Sequence, residues 1–317
     1  MMKRIHVLLS VLLTLGACSH AAPEGQENTE TPEGPTPSGP YRMELTLSSY
    51  NVLGVESKAA WAPRKEPIHA IVVREDHDPD VISFQECAAD PMRSDLQTMF
   101  ADTYDFHVIS ISGASPALVA WKRDRFSLVS GGAFDMAPGS EFTASRYAHW
   151  VRLREKESGR DFLMYDIHLK TNGTVSYQQL RYDSVQLLVP NVNARAKTYG
   201  DIPAVICGDF NNYLNTIDGG VISGPAACKA LGFTDAATAT TDKKNFYYKT
   251  SGTDMTGKAV KWSSKDSRID FIFLAPGIEV SSYQTVIDFV DGSDINLHTP
   301  VPSDHHPVSA RLVLQYE

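Results

Sequence analysis

The chain has 317 residues, 42% of them hydrophobic, enough to fill one large core or two small ones, and it shows no repeat at solenoid periods. Its formal net charge of −9 argues against a protein that depends on broad, salt-sensitive phosphate contacts, although a local basic groove remains compatible with it. Of four Cys, Cys87, Cys207 and Cys228 sit in apolar or small-residue runs, which points to packing rather than a disulfide framework.

Lys3 and Arg4 precede the apolar stretch Ile5 to Leu15 and the small residues Gly16 and Ala17, the pattern of a secretory signal too short to span a bilayer as a mature helix. Leu15-Gly16-Ala17-Cys18 resembles the bacterial lipobox, which makes Cys18 the expected lipidated residue. Residues 1–17 are then the signal and 18–40, rich in Pro, Gly, Glu, Thr and Ser, a flexible tether that cannot bury enough surface to order itself. Residues 41–317 are expected to form one domain, exported, anchored by lipid in the bacterial cell envelope, and monomeric.

Met43 to Val52 alternates in the manner of a strand and carries Asn51 at its end. Pro63 to His77 has helical spacing, and Val81 to Phe84 is a strand closed by Gln85-Glu86. A helix is predicted over Met92 to Phe100, and strands near Phe106 to Ile111 and Ala117 to Trp121. Arg146 to Arg154 and Asp161 to His168 read as a hairpin turning at Glu157-Ser158-Gly159. Tyr177 to Ala196 is helical in pattern. Ile202 to Ile206 then delivers Cys207-Gly208-Asp209-Phe210-Asn211-Asn212, a segment whose composition also suits a plain turn. Gly219 to Gly257 has no clear periodicity, and Ile269 to Leu274 and Val308 to Leu314 close the chain as strands. Runs of neighbouring strands with few helices suggest sheet packed on sheet, with helices outside.

Five strand-end clusters stand out: Asn51; Gln85-Glu86; Asp166-Ile167-His168; Gly208-Asp209-Phe210-Asn211; and Arg268-Ile269-Asp270 with Ser303-Asp304-His305-His306. In this order, with Trp61 and Arg64 ahead of the Gln85-Glu86 run, the sequence from about Leu45 to Leu314 resembles the endonuclease/exonuclease/phosphatase superfamily. The resemblance implies an α/β (α+β) fold, a four-layer α/β/β/α sandwich of two mostly antiparallel sheets. It also implies metal-dependent hydrolysis of phosphoester bonds, phosphodiesters foremost.

Such hydrolysis needs charge neutralisation, an activated water and protonation of the leaving oxygen. Hard oxygen and amide donors without a Cys-rich set suit Mg²⁺, with Mn²⁺ or Ca²⁺ as alternatives. By resemblance, Glu86 is the main metal ligand, helped by Asn51 and Asp304, and Asn211 binds the scissile phosphate. Asp209 either orients the nucleophile or binds a second metal. His305 is the general base, with Asp270 on its other ring nitrogen. His168 contacts the phosphate as stabiliser or leaving-group acid. Arg146 stands where it could hold a phosphate bidentately, or is an ordinary surface Arg. Asp166 shares a face with His168 and could orient it, but the family more often has Asn there. His306 is expected to face away from the site.

The substrate class, whether nucleic acid, phospholipid or small molecule, is left to the loops 112–116, 131–143, 171–177 and 246–265. Within the 243–265 region Tyr247, Tyr248 and Trp262 lie among Lys residues, a composition that suits base stacking or a solvated loop equally. The competing reading is a non-catalytic, surface-tethered binding module on the same fold, which loss of Glu86, Asp209 or His305 would have favoured.

Overall fold

The structure, a computed structural model, describes residues 39–54, 58–87, 90–109, 117–138, 146–171, 174–252, 255–262 and 265–317. The expected signal, Cys18 and the tether as far as residue 38 lie outside the described residues, as do residues 112–116, 139–143, 172–173, 253–254 and 263–264 of the expected substrate loops.

One sheet has seven strands: β1 (Tyr41–Asn51), β2 (Val81–Gln85), β3 (Tyr104–Val108), β4 (Leu118–Lys122), the short β12 (Lys243–Lys244), β14 (Glu279–Thr285) and β15 (Val308–Tyr316), in the order β12-β14-β15-β1-β2-β4-β3. The other has six: β5 (Phe126–Asp135), β6 (Tyr147–Glu155), β7 (Asp161–His168), β8 (Ala204–Asp209), β11 (Thr234–Asp235) and β13 (Asp270–Leu274), in the order β11-β13-β8-β7-β6-β5. The two-residue strands β9 (Ile217–Asp218) and β10 (Val221–Ile222) form a separate small ribbon. The central pairs β1–β2 and β7–β8 are parallel, as is the short β12–β14 contact, and every other pairing of these strands is antiparallel.

The two central parallel pairs are joined by helical crossovers. α1 (Lys65–Val72) joins β1 to β2 and α3 (Val175–Thr198) joins β7 to β8, while α2 (Met92–Met99) follows β2 and α4 (Gly224–Ala230) follows β8. Residues of one parity, such as Leu45, Leu47, Val81, Phe162, Met164, Val205 and Ile272, form the core between the sheets. Those of the other parity meet α1 and α2 on one outer face and α3 and α4 on the opposite one. The architecture is therefore the expected four-layer sandwich, and Cys87, Cys207 and Cys228 are buried inside it as thiols outside any disulfide.

Two features differ from the pattern-based expectation. The helix expected from Pro63 to His77 is a single 3-10 turn, Ala62–Arg64, followed by α1, which stops at Val72. It stops because His77 is pulled into the core, where its ring bonds to Ile71 O and to Ser48 Oγ at 2.9 Å each. β5 and β14 are the second difference, strands that the sequence pattern does not announce.

Candidate active site

Strand alternation carries the functional side chains out of the core. Asn51 continues the inward series of Leu45 and Leu47 on β1, and His168 continues Phe162 and Met164 on β7. Asp209 continues Val205 and Cys207 on β8, and Asp270 stands directly opposite it at the start of β13. The C-terminal ends of both parallel pairs and the starts of β13 and β15 thus lie at one pole, where the two sheets open into a common mouth.

At that mouth Asn51 Nδ2 donates to Glu86 Oε1 at 3.0 Å and to Asp209 Oδ2 at 3.1 Å, bridging a carboxylate of each sheet. Its Oδ1 accepts from Leu53 N, which leaves one lone pair. Gly54 N donates to Glu86 Oε2 at 2.9 Å, so the Glu86 carboxylate is held at both oxygens. His168 Nε2 lies 3.6 Å from Asp209 Oδ2 and 3.9 Å from Glu86 Oε1. His305 Nδ1 donates to Asp270 Oδ2 at 3.0 Å, and its Nε2 faces Asp209 Oδ2 at 3.9 Å. Asn211 N donates to Asp209 Oδ1, and Asn211 Nδ2 uses one of its two N–H groups on Leu169 O. Asp304, beside His305, has Lys58 Nζ at 3.5 Å.

The charges are poised against one another. Burial, then Asp270, raises the pKa of Asp209. Burial would lower the pKa of His305, but the carboxylates of Asp270, Asp209 and Asp304 together raise it. Burial, Arg146 and His305 hold His168 well below the usual range, so it is a neutral imidazole that can donate a hydrogen bond. Burial lowers the pKa of Arg146, with Asp209 and Glu86 opposing it, which puts the guanidinium within electrostatic reach of the mouth. Its buried Nε makes no hydrogen bond among the described residues.

Among the described residues, Asp209, Asp270 and His305 offer ligand atoms within 4.8 Å of one another. That trio differs from the expected Asn51, Glu86 and Asp304. Since His305 Nδ1 engages Asp270 at both oxygens, 3.0 and 3.2 Å, the trio reads as a His–Asp pair facing Asp209 rather than a ligand set. The donors left over, the Glu86 and Asp304 carboxylates and the remaining lone pair of Asn51 Oδ1, are hard oxygens that fit a hard divalent cation and not one that prefers thiolate.

Asp166 lies deeper, at 1% exposure, and accepts from Gln85 Nε2 at 2.6 Å. The same NH₂ lies 3.0 Å from both Ser49 Oγ and Ser83 Oγ, which compete for its second N–H, and the Gln85–Asp166 bond ties the two sheets together beneath the mouth. Burial pushes it up to about 8. His306 is buried, has a pKa lowered by burial to about 3, and donates its N–H to Thr250 O.

Several supporting residues stand outside the five clusters or play a part that the clusters do not suggest. Thr250 Oγ1 accepts from the backbone N–H of both Ile269 and Asp270, and Ser303 Oγ accepts from His305 N while donating to Asn51 O. Arg64, 1% exposed, donates to Val52 O, Leu53 O and Pro302 O, clamping the segment after Asn51 to the one before His305. Only the Ser-Asp-His run and the Trp61/Arg64 spacing hint at any of them.

Gly208 has φ +136°, and a Cβ there would come within 1.9 Å of Ile167 O on the paired strand. Gly208→Ala is therefore expected to cost about 3 kcal/mol or more, read as a lower denaturation midpoint, and to displace Asp209. A midpoint equal to wild type would mean that β7 and β8 can separate without penalty.

The model of the family described as Endonuclease/Exonuclease/phosphatase family matches residues 48–305. The chain is 26% identical over 198 residues to Carbon catabolite repressor protein 4 homolog 3 of Arabidopsis thaliana, covering 56% of this chain and 42% of that protein. It is 27% identical over 184 residues to Nocturnin of Drosophila melanogaster, covering 53% and 27% respectively. The match thus spans less than half the length of either relative. The solved structure of an endonuclease/exonuclease/phosphatase family protein from Bacteroides thetaiotaomicron has the same fold, with a TM-score of 0.67 at 23% identity over 86% of this chain and 98% of that one.

Proposed function

Because the chain belongs to the endonuclease/exonuclease/phosphatase family, whose members are phosphoesterases and nucleases, we propose that it is a Mg²⁺-dependent hydrolase of phosphoester bonds, phosphodiesters foremost. The observation that carries this reading is the His305–Asp270 pair at 3.0 Å, with the His305 Nε2 facing a mouth lined by Glu86, Asp209 and His168 and with Arg146 in electrostatic reach of Asp209 and Glu86.

His305 takes the proton from water at Nε2, while Asp270 fixes the tautomer by holding Nδ1–H. The water oxygen bonds to phosphorus, the bond from phosphorus to the leaving oxygen breaks, that oxygen takes up a proton from solvent, and His305 returns its own proton to solvent to close the cycle. Neutral His168, the remaining Asn211 N–H and the Arg146 guanidinium donate to the phosphoryl oxygens as charge grows on them. Asp209, fixed by Asn51 Nδ2 and Asn211 N, orients the attacking water between His305 and the phosphate. Glu86, with Asn51 and Asp304, would hold the divalent cation, which when bound polarises the phosphoryl group and offsets the carboxylate charge that keeps His305 protonated.

A hydrolysis panel with and without Mg²⁺, over plasmid DNA, sphingomyelin, inositol phosphates and a simple bis-aryl phosphodiester, tests the reading. Hydrolysis of at least one substrate that stops on chelation supports it; inactivity across the panel in Mg²⁺ and Mn²⁺ alike returns the protein to the role of a binding module.

From the signal-like residues 3–17 and the Leu15-Gly16-Ala17-Cys18 run we further propose that the protein is a monomeric lipoprotein of the cell envelope, anchored at Cys18. β1 runs ten residue steps, about 34 Å, from Tyr41 to Asn51. The tether would therefore join the domain at the pole opposite the mouth. Cys18→Ser is expected to move the protein from the membrane fraction to the soluble one. Retention of an acylated mutant in the membrane would refute the anchor.

A further inference from the structure

Beside the mouth lies a pocket of about 420 Å³ that shares Asn211 with it. Ser251, on the pocket wall, pairs by backbone with His305, and Ile269 immediately precedes Asp270, so the pocket wall is built from segments that also carry the reacting centre. A group bonded to a phosphate held by Asn211 has this pocket on the Asn211 side of it.

The lining decides what fits. Thr171, Gln178, Asn212, Thr216 and Ser251 are uncharged and hydrogen-bonding. Gln178 and Asn212 are locked to each other at 3.0 Å, and Asn212 Oδ1 accepts from Gly224 N, so that wall is preorganised. The single cation among the described lining residues, Arg181, donates to Lys170 O and Gln178 Oε1 with the Asp218 carboxylate in reach. A row of phosphates would need several cations along its track, and an acyl chain would need apolar walls. The described lining offers neither. It does have an aromatic face, Tyr213, at 44% exposure, and its volume suits one ring rather than a polymer. Flat aromatic surface next to fixed amides and hydroxyls is the chemistry that recognises a polyhydroxylated ring: apolar C–H faces stack while hydroxyls find donors and acceptors.

We propose that this pocket binds a hydroxylated sugar ring esterified to the phosphate at the mouth, with Tyr213 as its stacking face. The proposal rests on the phosphoesterase reading and narrows it to the substrate class. The ring can belong to a sugar phosphate or to a terminal nucleotide.

Calorimetric titration of the Mg²⁺-loaded full chain with non-hydrolysable probes separates the cases: a hexose phosphonate, a ribonucleoside phosphonate and methylphosphonate as the ringless reference. At least one ring-bearing probe is expected to bind about tenfold or more tighter than methylphosphonate. Tyr213→Ala is expected to remove most of that ratio and Tyr213→Phe to keep it, and whichever ring carries the ratio identifies the source. A ratio near one in wild type, or one that Tyr213→Ala leaves intact, overturns the proposal. Because binding is read without turnover, absence of hydrolysis in the substrate panel would sink the phosphoesterase reading separately.

Discussion

His305→Ala is expected to lose roughly three orders of magnitude or more in turnover, within the range for removing a general base and the network that supports it, while Mg²⁺ affinity stays close to wild type. The ring sits on a rigid support: Asp270 Oδ2 at 3.0 Å fixes one nitrogen, Ser303 Oγ fixes the backbone N–H, and Thr250 Oγ1 fixes the backbone of Asp270 itself. Asp270→Asn keeps the shape and removes the charge that raises the His305 pKa. The neutral imidazole is the active form, so the rate rises with pH through the His305 ionisation. Removing a group that favours the charged form moves that rising limb to lower pH. Its turnover should fall by no more than that of His305→Ala, and the double mutant should lose far less than the product of the two single losses, because both changes disable one unit. A double-mutant cycle on the preferred substrate checks this. Multiplicative losses, or near-normal turnover in His305→Ala, would leave a metal site without its base.

Three positions at the mouth are legible in the sequence because period-two alternation places them. Asn51, His168 and Asp209 each end an inward apolar series, so the parity that buries Leu47, Met164 and Cys207 also aims the polar residue at the mouth. Alternation does not supply Asp166's partner. Its shared face with His168 is visible in the spacing, but the Gln85 amide reaches it from the opposite sheet, and contact across a core has no local signature. Thr250 is hidden for a similar reason: it lies in a segment with no periodicity and acts through backbone N–H groups nineteen and twenty residues further on.

The two strands without a clear pattern have their own physics. β5 reads Phe-Ser-Leu-Val-Ser-Gly-Gly-Ala-Phe-Asp, and two central glycines argue for a loop. Both are close approaches instead, since a Cβ on Gly131 would stand 3.0 Å from the His107 ring and one on Gly132 3.3 Å from Trp150. In β14 only Tyr283 and Thr285 are buried, and the register shifts between Val280 and Ser282, so its alternation is broken at a bulge. Propensity loses to tertiary packing in the first case and to irregular pairing in the second.

Glu86→Gln is expected to weaken Mg²⁺ binding by about ten- to a hundredfold and to lower turnover with it, while the fold survives. The carboxylate is the acceptor for two donors from different segments, Asn51 Nδ2 and Gly54 N. An amide at that position must turn its NH₂ towards one of them, which forfeits a hydrogen bond worth about 1 kcal/mol. It also removes one of the negative charges that the bridging Asn51 amide holds close together, Glu86 and Asp209, and that relief offsets the lost bond in metal-free protein. Wild type and variant should therefore have nearly equal melting temperatures in chelator. In excess Mg²⁺ they should separate, because a ligand stabilises the state it binds, and a hundredfold weaker site forgoes up to about 2.7 kcal/mol of that stabilisation. Calorimetric titration and melting curves with and without Mg²⁺ measure the two effects independently. Unchanged Mg²⁺ affinity in the variant would remove Glu86 from the metal site. A variant that melts much lower in chelator would show instead that its two anchoring hydrogen bonds, rather than its charge, are what the fold needs at that position.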